Sequence, residues 1–362
     1  MFAAILLLNG CKDPFTPTIK EVSNNILVVE GLINSGADST IIKLSRTKLV
    51  SDKKTLNPEI GATVTVESES NEVIPLVEKF KGSYVFLGLN LNKAKKYRLR
   101  IKTAKNETYL SDFVEVKVSP AIDQVSWKAA NDRVNISVNT HDDTNNSKYY
   151  RWEYAETWIF YSAFESLYKW DGSAVVKRIL PEEGIFKCWG DTTSSTVILG
   201  STAKLANDVV FESPITYVPF GEKLRERYSI NVKQYVLTKE AYEFWEQLRK
   251  NTESLGSIFD AQPSELTGNI HNIANQSEPV LGFISVGTTT QKRIYIDRPE
   301  ISSGFLIPQP AECLTPSEVK AIDFKQTYQA GFNIPVSDST AGSRYCVDCT
   351  IRGKSKKPAF WQ

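Results

Sequence analysis

The sequence predicts a mainly β fold: tandem immunoglobulin-like or fibronectin-like sandwich units, one amphipathic helix and a disulfide-stabilised C-terminal tail. Three observations carry that expectation. Short runs rich in Val, Ile, Thr and aromatic residues alternate apolar with polar positions, as half-buried strands do. Clusters of Asn, Gly, Pro and Ser separate the runs at sandwich-like spacing. Only one stretch, Thr238 to Leu255, repeats its apolar residues at helical spacing.

The N-terminus reads as an address rather than as fold. Phe2 to Leu8 is an unbroken apolar and small run, followed by Asn9, Gly10 and Cys11. It is far shorter than the ~20 residues that span a bilayer and matches the apolar core of a signal peptide. Leu8 and Gly10 fit the apolar and small positions of a bacterial lipobox, which makes Cys11 the acylated residue. No Lys or Arg precedes the run, so the true start is expected upstream of Met1. Residues 1–10 are expected to be the end of the signal. Residues 11–25, polar and proline-rich, are expected to be a lipid-anchored tether. Several acyl chains hold a protein firmly on a membrane where one holds it marginally.

Residues 26–119 are expected to form the first sandwich. Its strands are read at Ile26–Ile33, Thr40–Ser45, Ala62–Glu67, Tyr84–Leu87, Lys96–Ile101 and Phe113–Val118, with turns at Asn34-Ser35-Gly36, Asn57-Pro58 and Gly82-Ser83. Ser119-Pro120 marks a boundary, and residues 120–299 are expected to form a second β domain. Its first strands are Ile122–Trp127 and Val134–Val138. A polar turn follows at His141–Asn146.

Tyr150, Trp152, Tyr154, Trp158 and Phe160 then fall on one face of a long strand. That face is either core or an exposed platform. In the second case Trp152, Tyr154 and Trp158 are the candidate patch for a glycan, a peptide or a protein partner. Residues 171–237 read as a loop-rich insertion that ends in the strand Tyr228–Val236. The helix over 239–255 has Thr238 as N-cap and Gly256 at C′, and Tyr242 and Trp245 are expected to dock it on the second sandwich. Pro279–Val286 and Lys292–Ile296 are expected to close the domain as a hairpin. Residues 300–362 form an irregular cysteine-containing tail packed on the body.

The composition excludes several function classes. The chain has 362 residues, 43 Lys+Arg and 42 Asp+Glu, so nucleic acid is not expected as a partner. With Cys11 set aside, Cys188, Cys313, Cys346 and Cys349 remain, an even number that suggests disulfides in an exported protein. Three pairings are open. Cys346-x-x-Cys349 would also serve as half of a zinc site, but a second CxxC is lacking and no metal or other cofactor is expected.

Catalytic spacing is equally scarce. The only histidines are His141, in the polar turn, and His271, in Gly-Asn-Ile-His-Asn. No nucleophile elbow, zincin helix or phosphate loop occurs. Asp142-Asp143-x-Asn145-Asn146 lacks the glycine and glutamate of a calcium loop. Glu182 and Glu183 are adjacent, so a strand would point them to opposite sides. The expectation is a protein that is not an enzyme. A hydrolase would need His271 beside a nucleophile or carboxylate.

Several blocks together resemble one family. They are the lipidation cysteine followed by Leu27-Val-Val-Glu-Gly31, then Ala241-Tyr-Glu-Phe-Trp245, Gly256-Ser-Ile-Phe-Asp260 with Pro263, Gly268-Asn-Ile-His271, Pro279-Val-Leu-Gly282, Cys346-x-x-Cys349 and Lys357-Pro-x-Phe-Trp361. In that order they resemble the domain-of-unknown-function family 4249 of Bacteroidota surface lipoproteins. The resemblance covers essentially the whole mature chain and implies a place rather than a reaction. Such proteins look like accessory lipoproteins of TonB-dependent outer-membrane transporters. Lys12-Asp13 is similar to the charged signal that sends lipoproteins of this phylum to the cell surface, with Pro14 where another acidic residue is often found. Asp38-Ser39-Thr40, Asp191-Thr192-Thr193 and Asp338-Ser339-Thr340 are similar to its O-glycosylation triplets.

The expected function is therefore a non-enzymatic accessory or docking subunit of a TonB-dependent transporter, lipid-anchored in the outer membrane and exposed at the surface. The alternatives are a carbohydrate- or peptide-binding lipoprotein that uses the aromatic patch, or a structural component of an outer-membrane complex.

Overall fold

The computed structural model describes residues 25–48, 57–253, 266–301, 304, 311–313 and 315–362. The residues expected to serve as signal, acylation site and surface-export signal, including Cys11, Lys12 and Asp13, lie outside the described residues, as do Leu255, Gly256 and the block up to Pro263.

The first unit uses β1 Leu27–Asn34, β2 Ser39–Arg46, β3 Thr63–Ser68, β4 Val73–Phe80, β5 Ser83–Leu87, β6 Lys96–Lys102, β7 Thr108–Ser111 and β8 Val114–Lys117. β2 lies between β1 and β5, β4 joins β5 to β3, and β6 lies between β3 and β7 and also touches β8. Period-two alternation turns Ile42, Leu44, Val64, Val66, Leu99 and Ile101 inward, where they make one apolar core.

The second unit begins with β9 Ile122–Ala129, β10 Arg133–Asp142 and β11 Tyr149–Tyr161. It continues with the small hairpin β12 Tyr168–Trp170 and β13 Val175–Lys177, then β14 Lys187–Thr193, β15 Ile198–Ser201, β16 Asp208–Pro219 and β17 Arg227–Val236. After α1, Lys239–Glu253, come β18 Ile270–Asn272, β19 Val280–Leu281, β20 Ser285–Gly287 and β21 Thr289–Asp297. One sheet runs β16-β10-β9. The other runs β14-β11-β17-β21, with β15 also on β11. Two such sheets facing each other over the buried Val134, Ile136, Val138, Tyr150, Trp152, Ile230 and Val232 are a fibronectin-like sandwich.

Two expectations change. The hairpin of 279–286 with 292–296 does not form. β21 pairs with β17, whereas β19 and β20 run parallel to β1 and complete the first unit. β18 likewise pairs with β7. The connection from β17 to β21 thus leaves its own sandwich, finishes the other one and returns. The loop-rich insertion also contains a full sandwich strand, β16. Its alternation is hidden because pairing with β10 shifts register twice and Glu212 has φ 46°.

The tail carries β22 Ser317–Glu318, α2 Phe324–Tyr328, β23 Asn333–Pro335, β24 Thr340–Ser343 and α3 Arg344–Val347. Its cysteines settle the pairing: Cys188 of β14 bonds Cys349, and Cys313 bonds Cys346. The tail ends with Trp361 buried edge-on against Tyr295 and Trp189. A zinc half-site is excluded because both cysteines of the CxxC are oxidised.

Candidate functional site

Beside the joint between the two units, the returning segment is locked onto β1 of the first unit by backbone contacts. Gly282 has φ 141°, a conformation open to glycine. A Cβ there would lie 2.1 Å from the Val29 carbonyl oxygen, and one on Gly268 would lie 1.8 Å from the Gly282 oxygen. Three segments therefore cross at van der Waals contact of their main chains. Asn269 fixes the crossing: its amide donates to the Ile284 carbonyl at 3.0 Å and accepts from the Ile284 N–H at 2.8 Å, all buried.

α1 fills the wedge above this crossing. Thr238 caps it, accepting from the Ala241 N–H at 3.2 Å. Ala241 packs with Tyr235 and Leu237, and Tyr242 meets the Tyr149 ring at 5.0 Å. Phe244 meets Phe283 of the first unit at 5.4 Å. The helix thus touches both units, rather than the second alone.

Between the units lies a cleft of about 630 Å³. One wall is β1 and β2, with Val28, Leu32, Ile41 and Lys43. The other is the outer face of β11 and β17, with Arg151, Glu153, Lys233 and Tyr235. Trp245 and Leu248 of α1 form the roof. The Arg151 guanidinium lies 4.4 Å from the Tyr235 ring and 4.1 Å from the Trp245 ring, and pairs with Glu153 at 2.9 Å. The Tyr235 hydroxyl donates to Glu153 at 2.5 Å. Burial first, and the Glu153 charge second, push its pKa up, so it stays a donor. Lys43 and Lys233 make no ion pair among the described residues. The cleft therefore offers aromatic faces, an aligned guanidinium and the ammonium groups of Lys43 and Lys233, the latter 5.4 Å from the Tyr235 ring. That is recognition chemistry. Neither histidine lines it.

Of the two readings of the aromatic face, the structure takes the core one. Trp152 is fully buried, and its indole N–H donates to the buried Gln234 at 3.0 Å. Tyr154 and Trp158 are half-buried and pack against the same core. Gly190 and Gly200 leave the room these two indoles fill, since a Cβ at either would come within 2.6 Å of a ring atom. The physical reason is parity: the even-numbered residues of β11 face β9, β10 and β16, while the odd-numbered Arg151 and Glu153 face the cleft.

The remaining expected residues are not brought together. His141, near the exposed end of β10 rather than in a turn, bonds Asp123 at 2.7 Å, and His271 sits 3.8 Å from Asp112. Arg151, Lys233 and Phe283 were not singled out from the sequence. The only signal for them was indirect, the blocks of the family resemblance around Gly31, Trp245, Gly268 and Gly282, which lie at or beside the cleft.

A family model described as Domain of unknown function (DUF4249) matches residues 12–293. Among solved structures, a two fibronectin type-III domain segment from chicken tenascin is similar at 13% identity. That match covers 58% of this chain and 90% of that one, with a TM-score of 0.16, too low to bear on the fold. No curated protein matches.

Proposed function

This chain belongs to the DUF4249 family, and from that premise we propose a non-enzymatic surface lipoprotein, the accessory binding and docking subunit of an outer-membrane TonB-dependent transporter. Cys11 would carry the acyl chains, and Lys12-Asp13 would direct the protein to the cell surface. The observation that carries the reading is the cleft. The blocks that carry the family resemblance around Gly31, Trp245 and Gly282 line this cleft in this chain, and its surface holds aromatic rings and cations suited to recognition.

The test is affinity purification from detergent-solubilised outer membranes of the parent bacterium, with labelled palmitate in the medium. A co-purifying barrel and label that disappears in Cys11→Ala are expected. Recovery of the labelled protein alone would overturn the transporter role. Absence of label in the wild type would overturn the anchor. Glycan or peptide recognition is the competing reading. With Trp152 buried it would have to use Tyr235 and Trp245 of the cleft instead.

A further inference from the structure

The end of the first unit at which the chain emerges has an unusual distribution of charge. Asn25 is held there by Arg46, whose guanidinium donates to its carbonyl at 3.1 Å. Arg46 also takes up Glu59 at 2.7 Å and Glu107 at 2.8 Å. Beside it the β4–β5 tip projects. Gly82 makes the turn with φ 71°, and its carbonyl accepts from the Leu44 N–H at 2.8 Å. The Glu78 carboxylate is spent inside the same loop pair, accepting from Gly82 N–H at 2.8 Å and Gly61 N–H at 3.0 Å. Among the described residues, Glu59, Glu78 and Glu107 at this end are thus committed to Arg46 or to backbone. The cations are not: Lys79, Lys81 and Lys105 are exposed and have no ion pair among the described residues.

The same tip exposes its apolar side chains. Phe80 is 77% exposed and Ile60 52%, and they share one surface with Lys79 and Lys81. Tying the 59–62 loop to the tip through Glu78 holds Phe80 and Ile60 side by side at no ordering cost on contact. An aromatic and an aliphatic residue ringed by unpaired lysines match the boundary between lipid tails and anionic headgroups.

We infer that this end of the first unit rests on an anionic lipid surface, with Phe80 and Ile60 at the acyl boundary and Lys79, Lys81 and Lys105 among the headgroups. The proposed lipid anchor enters only in that Asn25 lies at the same end. The contact itself is made by the folded body.

The experiment uses the mature chain carrying Cys11→Ser, and therefore no acyl group, sedimented with vesicles. Binding is expected to equimolar phosphatidylcholine and phosphatidylglycerol, and not to phosphatidylcholine alone. Lys79→Ala with Lys81→Ala should weaken it roughly 25-fold, about fivefold per lysine. Phe80→Asp should abolish it and Phe80→Trp should retain it. Phe211→Asp, equally exposed on the second unit, should leave it unchanged. A dye on Phe80→Cys should shift to the blue on vesicle addition. Failure of the wild type to bind, or binding unaffected by the lysine and Phe80→Asp changes, overturns the inference. So does loss of transporter co-purification in those variants without any vesicle binding, which would make the tip a protein contact. None of these outcomes touches palmitate labelling, so the anchor and the lipid contact fail separately.

Discussion

Asn269→Ala is the sharpest test of how the returning segment is locked into the first unit. The side chain closes a two-bond ring on Ile284, donating to its carbonyl at 3.0 Å and accepting from its N–H at 2.8 Å. Ile284 is fully buried, so water cannot replace the lost partner. Each buried backbone group left unpaired costs about 1–3 kcal/mol, which puts the change near 3 kcal/mol after partial relaxation. At this size 1 kcal/mol moves the melting temperature by roughly 2–4 °C, so a drop of about 6–12 °C is expected. The assay is thermal and urea unfolding followed by circular dichroism. His271→Ala is the control: it lies two residues away in the same motif but is exposed, and it should fall within about 0.5 kcal/mol of wild type. If Asn269→Ala and His271→Ala are equally mild, the crossing is not held by Asn269, and the account of how this segment is locked into the first unit is wrong.

Trp152→Ala should cost about 3–5 kcal/mol as a core cavity, read by the same unfolding curves. A stable variant that lost glycan binding would restore the platform reading. Removing the long-range disulfide with Cys188→Ser and Cys349→Ser should cost about 2–4 kcal/mol, because the bridge closes a sequence separation of 161 residues. Limited proteolysis should then release first a C-terminal fragment cut ahead of Cys313 and still closed by the Cys313–Cys346 bridge, and an unchanged digestion pattern would refute this. The Asp123 hydrogen bond, then its charge and that of Asp143, hold the His141 pKa above its ordinary value. The pair's contribution to stability is therefore fully present below the unfolded histidine value near 6.5 and is lost as pH rises through the folded one. An NMR titration should place the midpoint above the ordinary value, and Asp123→Asn should return it. A midpoint unmoved by that change would disprove the coupling.

Much of the fold was legible because strand alternation is a local signal. The strands around Leu27, Ile42, Val64, Leu99, Ile136 and Ile230 all read correctly from period two. Partners are not local. Pro279–Val286 reads as a strand, but nothing in it says that β19 and β20 run parallel to β1 some 250 residues earlier in the chain. β16 was hidden because its bulges break the alternation on which the reading depends. The disulfides were expected but their pairing was not, since spacing alone leaves three choices. The site was the least legible part. Rings on β11 drew notice because they are large, yet parity sends Trp152 to the core and Arg151 to the cleft. Arg151 gains its meaning only from Tyr235 and Trp245, which lie on a different strand and a helix.

The central proposal is that the protein is a lipoprotein that engages an outer-membrane partner through the cleft between the two units. The most direct measurement purifies wild-type protein and an Arg151→Glu, Trp245→Ala variant side by side from solubilised outer membranes, and quantifies the co-purifying barrel by mass spectrometry. Both proteins must be acylated and present in equal amount. Retention of the barrel by wild type and its loss from the variant are the expected result. Equal recovery of the barrel with both proteins would contradict the claim, as would no barrel with either.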